Sequence, residues 1–177
     1  VEAGIERTFE RLRSDFDIRR DGTIVVPAGR YAGWAGALEV GSAAYRRVSG
    51  EVELGRRHFW TGRRTDYELG LALRPMPGVN LNGAWNHSRI RLAEGHFNTH
   101  VLRTETSIDL SPWTAFTTFV QYDNLSGVVG LYARFRWILQ PGSDLYLVYT
   151  HNWQDDPTAF YSLSSEAAVK LTYGYRF

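Results

Sequence analysis

The stretch Ser165-Glu-Ala-Ala-Val-Lys-Leu-Thr-Tyr-Gly-Tyr-Arg-Phe177 decides how this chain is read. From Ala167 onward, Ala167, Val169, Leu171, Tyr173, Tyr175 and Phe177 fall on one side, and Ala168, Lys170, Thr172, Gly174 and Arg176 on the other. Side chains on a strand alternate faces with period two, so this strand has one apolar and one polar face. Its apolar face turns aromatic toward the end. A closing strand of an outer-membrane β-barrel reads this way, with lipid outside, a polar lumen inside and an aromatic girdle at the interface. A soluble sandwich strand has the same alternation, so the rest of the chain must decide.

At 177 residues the chain is one domain by size, and its formal charge of +1 offers no basic field for nucleic acid. It has no cysteine, which excludes disulfides and thiolate chemistry. No run of about 18 apolar residues suggests a membrane helix. A negative mean hydropathy is compatible with a membrane barrel, because half of each strand faces a polar lumen. The chain starts at Val1 without a secretory leader, which reads as the C-terminal part of a longer protein.

Alternation predicts about ten strands: 3–12, 31–45, 48–58, 65–74, 79–92, 99–110, 114–122, 128–139, 143–154 and the closing segment. In 128–139, Val129, Leu131, Ala133, Phe135, Trp137 and Leu139 oppose Gly130, Tyr132, Arg134 and Arg136. Two arginines opposite an unbroken apolar row suit a wet lumen better than a soluble core. Tight connections are expected near 46, 76, 112 and 142. Longer polar ones are expected at 13–30, 59–64, 93–98, 123–127 and 155–164, with Thr23-Ile-Val-Val26 pairing locally. Short turns at one rim and long loops at the other match an outer-membrane barrel with a periplasmic C-terminus. The competing architecture is a soluble up-and-down barrel that binds a small ligand. Its interior would be apolar, whereas here the charges share the inner face.

Several segments together resemble a known family. They are Phe9-Glu-Arg-Leu12, Pro27-Ala-Gly-Arg-Tyr31, Glu94-Gly-His-Phe-Asn-Thr99, Val120-Gln-Tyr-Asp-Asn124, Leu131-Tyr-Ala-Arg-Phe-Arg-Trp137 and Pro141-Gly-Ser-Asp-Leu-Tyr-Leu-Val-Tyr149. The chain resembles the C-terminal domain of unknown function of large bacterial proteins that carry an N-terminal module like the family-nine carbohydrate-binding domains. That domain is understood as an outer-membrane barrel. The resemblance implies further barrel strands upstream and assigns no catalytic residue.

The charged residues expected to line the lumen are Glu39, Glu51, Glu53, Arg57, Glu68, Arg74, Arg103, Glu105, Asp109, Arg134, Arg136, Lys170 and Arg176. They suit solute selectivity, or a network of cross-strand ion pairs holding the strands in register. Their nearly balanced signs favour the network. Trp34, Trp85, Trp137, Trp153, Tyr173, Tyr175 and Phe177 are expected at the membrane interface. His58, His87, His96, His100 and His151 show no metal-ligand spacing, so no metal or cofactor is expected. Asn86-His87-Ser88 suggests an outer-membrane hydrolase, but neighbours on a strand face opposite ways, so His87 cannot activate Ser88 directly. A relay through His100 or His151 would be needed.

The expectation is therefore an all-β, antiparallel up-and-down transmembrane barrel of the bacterial outer membrane, a non-enzyme serving transport, secretion or surface anchoring. Its expected partners are the lipid bilayer, the outer-membrane assembly machinery through the C-terminal strand, and upstream strands or other subunits. Ten strands, an even number, could close by themselves; if further strands belong upstream, as the resemblance implies, this piece alone would leave two open edges in lipid.

Overall fold

A computed structural model of the protein describes residues 1–174. The strands are β1 (Glu2–Leu12), β2 (Phe16–Asp17), β3 (Val25–Val26), β4 (Gly29–Gly41), β5 (Val48–Phe59) and β6 (Gly62–Leu73). They continue as β7 (Val79–Arg91), β8 (His96–Ser111), β9 (Thr114–Asp123), β10 (Val128–Gln140), β11 (Ser143–Asp156) and β12 (Ala159–Thr172). The described residues contain no helix. Ten strands form one antiparallel meander in the order β1-β4-β5-β6-β7-β8-β9-β10-β11-β12, and β2 and β3 pair separately. The sheet's end strands are β1 and β12, with no closing ladder between them among the described residues. Tyr175, Arg176 and Phe177 lie outside the described residues.

Alternation located the ten strands, but composition misjudged their connections. Segments 59–64 and 155–164 read as loops because they are polar or mixed. Instead β5 and β6 are joined by Trp60-Thr61 alone, and β11 and β12 by Pro157-Thr158. Strand β8 begins at His96 rather than at 99, leaving 92–95 as the connection, closed by Leu92 N–H donating to the Gly95 carbonyl at 2.8 Å. Arg63, Arg64, Asn98 and Ser162 are poor strand formers that pair because neighbouring strands supply their ladder partners; tertiary context overrides propensity. The expected contrast between short-turn and long-loop rims is therefore absent except at residues 13–28. Bulges in the β8–β9, β10–β11 and β11–β12 ladders leave Leu110, Leu139 and Leu163 without a partner across those ladders. Two lie beside the tight turns 112–113 and 141–142, where Gly142 at φ 86° supplies the left-handed position next to Pro141.

The chain divides into two compact units. One comprises Val1–Ser42, Glu51–Leu69 and Asn86–His100. Its small apolar core forms where the 13–28 excursion folds back, as the local pairing of Val25-Val26 predicts. Ile24, Val26, Trp60 and Ile90 are the buried hydrophobic residues. Trp60 receives the edge of Phe16, ring centroids 5.4 Å apart, and stacks on Phe59 at 4.2 Å. The excursion is held by Asp17, which accepts from the backbone N–H groups of Arg19, Arg20 and Gly22, and by Asp15, which accepts from Ala28 N–H. Nearby, the Thr23 hydroxyl and backbone N–H both donate to Asp21, with Arg19 beside it, so the Asp21 carboxyl titrates below its ordinary range.

The other unit comprises Ala43–Gly50, Gly70–Trp85 and Val101–Phe177. Here β8, β9, β10, β11 and β12 pair in sequence order. Val129, Leu131, Phe135 and Trp137 share a face with Trp153, His151, Leu147 and Leu145 across the β10–β11 ladder. Leu145 and Leu147 in turn oppose Leu171 and Val169 on β12. That face is the apolar one the alternation predicts.

Candidate functional site

In the first unit the cross-strand register sorts the charges by face. Residues directly opposite each other in a ladder share a face. Glu2 opposes Glu39, and Glu39 opposes Glu53, so three carboxylates form one row across β1, β4 and β5. By alternation Glu6, Glu10 and Glu51 lie on the same face. The opposite face carries Trp34, Leu38, Val40, Val52 and Leu54. A pure ion-pair network would place opposite signs in that row, so the register does not realise one here. Like charges directly opposed are tolerated where water screens them.

A groove of about 370 Å³ opens over this acidic face. Its floor is small, with Gly4, Ala35, Ala37 and Gly55, and its walls include Glu6, Glu53, Glu68, Arg57 and Asp66. Asp66, only 5 % exposed, organises one end. It accepts from Arg57 Nη2 at 3.2 Å, from Arg64 Nε at 2.6 Å and from Ser88 Oγ at 2.6 Å. Arg64 Nη2 also donates to Ser88 Oγ at 3.0 Å. Gly55 on β5 lies against Asp66, so a Cβ there would stand 3.6 Å from the Asp66 Cβ. Charge-assisted bonds of this kind are stronger than neutral ones, and together they tie β5, β6 and β7 at one level. The groove can attract cationic or polar solutes and repel anions.

The other expected lumen charges are dispersed. Arg74 donates to the carbonyl of Ala44 at 2.6 Å, and Arg103 to Gln121 Oε1 at 3.2 Å. Arg136 pairs with Asp144 at 3.2 Å and lies over the Tyr146 ring, whose ladder partner on β12 is Lys170. Arg134 sits between Thr117 and Val148 in the ladders, Glu105 opposes Phe119, and Asp109 opposes Ala115. Among the described residues, only Arg57 and Arg136 of the thirteen hold ion pairs.

Of the expected interface aromatics, Trp34 opposes Arg7 and Trp137 opposes Thr114 and Leu145. Trp85 lies on β7, Trp153 stacks on His151 at 3.9 Å, and Tyr173 is exposed. Sequence reasoning misses Asp66 and Arg64: the expected strand 65–74 contains Asp66 without marking it as a site residue, and Arg64 falls in the expected connection 59–64. Extending the alternation of Glu68 back by two and four residues would have found both.

The hydrolase reading at Ser88 loses its base. The Ser88 hydroxyl donates to Asp66, while the His87 ring lies with those of Tyr67 and His100, each 5.9 Å away. A different hydroxyl does meet an imidazole. His151 Nε2 lies 2.8 Å from Ser162 Oγ, and its Nδ1 lies 2.6 Å from the Tyr149 hydroxyl. That chain can relay a proton across β11 and β12.

The class defined by these observations is an all-β, antiparallel up-and-down sheet of ten strands. No family model, curated protein or solved structure matches the chain.

Proposed function

We propose that this chain is the membrane-spanning part of a β-barrel in a bacterial outer membrane, contributing to transport, secretion or surface anchoring. The observation that carries the reading is where the apolar side chains sit. Leu54, Leu69, Leu71, Leu102, Trp137, Leu147, Val169 and Leu171 are all exposed, on strands long enough to cross a bilayer at a tilt. Among the described residues the buried hydrophobic ones are four, Ile24, Val26, Trp60 and Ile90, all in the first unit. Water does not tolerate so large a continuous apolar face, whereas lipid covers it without loss. The opposite face carries the acidic groove, which suits a wet lumen selective for cations or polar solutes. Among the described residues β1 and β12 have no second ladder partner, which favours a larger barrel completed by upstream strands or by further subunits. The resemblance to barrel domains behind a carbohydrate-binding-like module supports the same reading.

The test is reconstitution of the chain into vesicles containing brominated lipid. Bromine quenches tryptophans in contact with acyl chains, so the emission of Trp34 and Trp137 should fall strongly. A chain that stays monodisperse in plain buffer and shows no quenching would sink the proposal.

A further inference from the structure

The apolar face of the first unit ends in a band of arginines that no carboxylate pairs among the described residues. Arg56 on β5, Arg63 on β6, and Arg89 and Arg91 on β7 surround a concavity of about 150 Å³ completed by Thr65 and Tyr67. All four arginines are exposed, and none holds an ion pair among the described residues. Every acidic residue of β1, β4, β5 and β6 in this unit alternates onto the other face: Glu2, Glu6, Glu10, Glu39, Glu51, Glu53, Asp66 and Glu68. A second observation comes from β1 and β4. Arg11 stands directly opposite Arg30, on the same face as the Arg7–Trp34 pair. Like charges directly opposed are unfavourable on a sheet, so this exposed pair is eased by an anion as well as by water.

The placement along the strands is ordered. On β6 the outward residues run Arg63, Thr65, Tyr67, Leu69, Leu71. On β7 they run, from the same rim, Arg91, Arg89, His87 and Trp85. On β5 Arg56 gives way to Leu54 and Val52. Cation, then aromatic, then aliphatic is the gradient from headgroup to acyl chain. At about 3.3 Å per residue, the four arginines lie within about 13 Å of the rim formed by the connections 60–61 and 92–95. Guanidinium groups over lipid are costly unless they reach the interface and meet anions there.

We infer that Arg56, Arg63, Arg89 and Arg91 form a binding site for the phosphate headgroup of a membrane lipid, in the leaflet at that rim. The planar fork of arginine matches phosphate oxygens bidentately, and four such groups around one concavity favour a phosphomonoester over a zwitterionic headgroup. The inference rests on the membrane-spanning reading and gives it a lipid specificity.

The test measures thermal unfolding of the whole chain in neutral detergent micelles. Three additions are compared: phosphatidic acid, phosphatidylcholine, and inorganic phosphate at the same concentration. Phosphatidic acid should raise the midpoint, and phosphatidylcholine and inorganic phosphate should not. Replacing all four arginines (Arg56→Gln, Arg63→Gln, Arg89→Gln, Arg91→Gln) should weaken the apparent phosphatidic acid affinity by at least about tenfold, since each basic group near a lipid surface contributes measurably. A control with the same charge change in connections, Arg13→Gln, Arg20→Gln, Arg46→Gln and Arg47→Gln, should keep the response. Equal responses in the two variants would overturn the site, and stabilisation by inorganic phosphate alone would overturn its lipid assignment. Failure of the chain to enter micelles is a separate result, which removes the membrane reading itself.

Discussion

Asp66 is the side chain whose loss should be felt most in the first unit. Replacing it with alanine removes the acceptor shared by Arg57, Arg64 and Ser88. The three bonds are unequal. The Arg57 side chain is 49 % exposed, so water replaces Asp66 there and that pair counts for little. Arg64 is 33 % exposed and held at 2.6 Å, and Ser88 is buried. A hydrogen bond to a charged group contributes about 1.5–3 kcal/mol net, and leaving a buried partner unsatisfied adds to the loss. Because Ser88 keeps its bond from Arg64, the larger figures for fully buried pairs do not apply, and Asp66→Ala should cost about 3 kcal/mol. Asp66→Asn should recover part of this, since the amide oxygen still accepts one bond. The assay is reversible urea unfolding of the reconstituted chain, with Ser88→Ala and the double variant completing a cycle. If Asp66→Ala lowered stability by less than about 0.5 kcal/mol, a surface value, the cluster would not organise the groove as argued.

Two further outcomes follow from local geometry. Gly62 opens β6 directly against β7, and a Cβ there would stand 2.0 Å from the Arg91 carbonyl oxygen and 2.9 Å from the Leu92 Cα. Backbone cannot yield as a side chain does, so Gly62→Ala should cost at least about 2 kcal/mol in the same unfolding assay and shift the amide resonances of Arg91 and Leu92. Asp21, in the 13–28 excursion, has its carboxyl held below its ordinary value of 3.8, first by the Thr23 hydroxyl and then by the Thr23 N–H. A depressed folded-state pKa stabilises the excursion above the unfolded value, and that contribution disappears as pH falls through the lowered one. NMR titration should place the Asp21 midpoint below 3.8, and Thr23→Ala should move it upward; an unmoved midpoint would deny the hydroxyl its role.

Much of this protein is legible without coordinates. Period-two alternation depends only on backbone geometry, so the ten strands, the apolar row of Val129 to Trp137 and the opposing Arg134 and Arg136 follow from residue order alone. Ile24 and Val26 likewise announced an apolar piece inside a polar connection. Register is another matter. Which residue faces which depends on turn length and bulges, and a segment such as 59–64 reads as loop until its neighbours claim it. Only the tertiary structure opposed Glu2 to Glu39 and Glu39 to Glu53, delivered Arg64 and Ser88 to Asp66, and brought Ser162 to His151. It also gathered Arg56, Arg63, Arg89 and Arg91 from three strands into one concavity. Alternation is a local property of one strand and is written in the sequence; coincidence across strands is set by the packing of many, and no single stretch of sequence carries it.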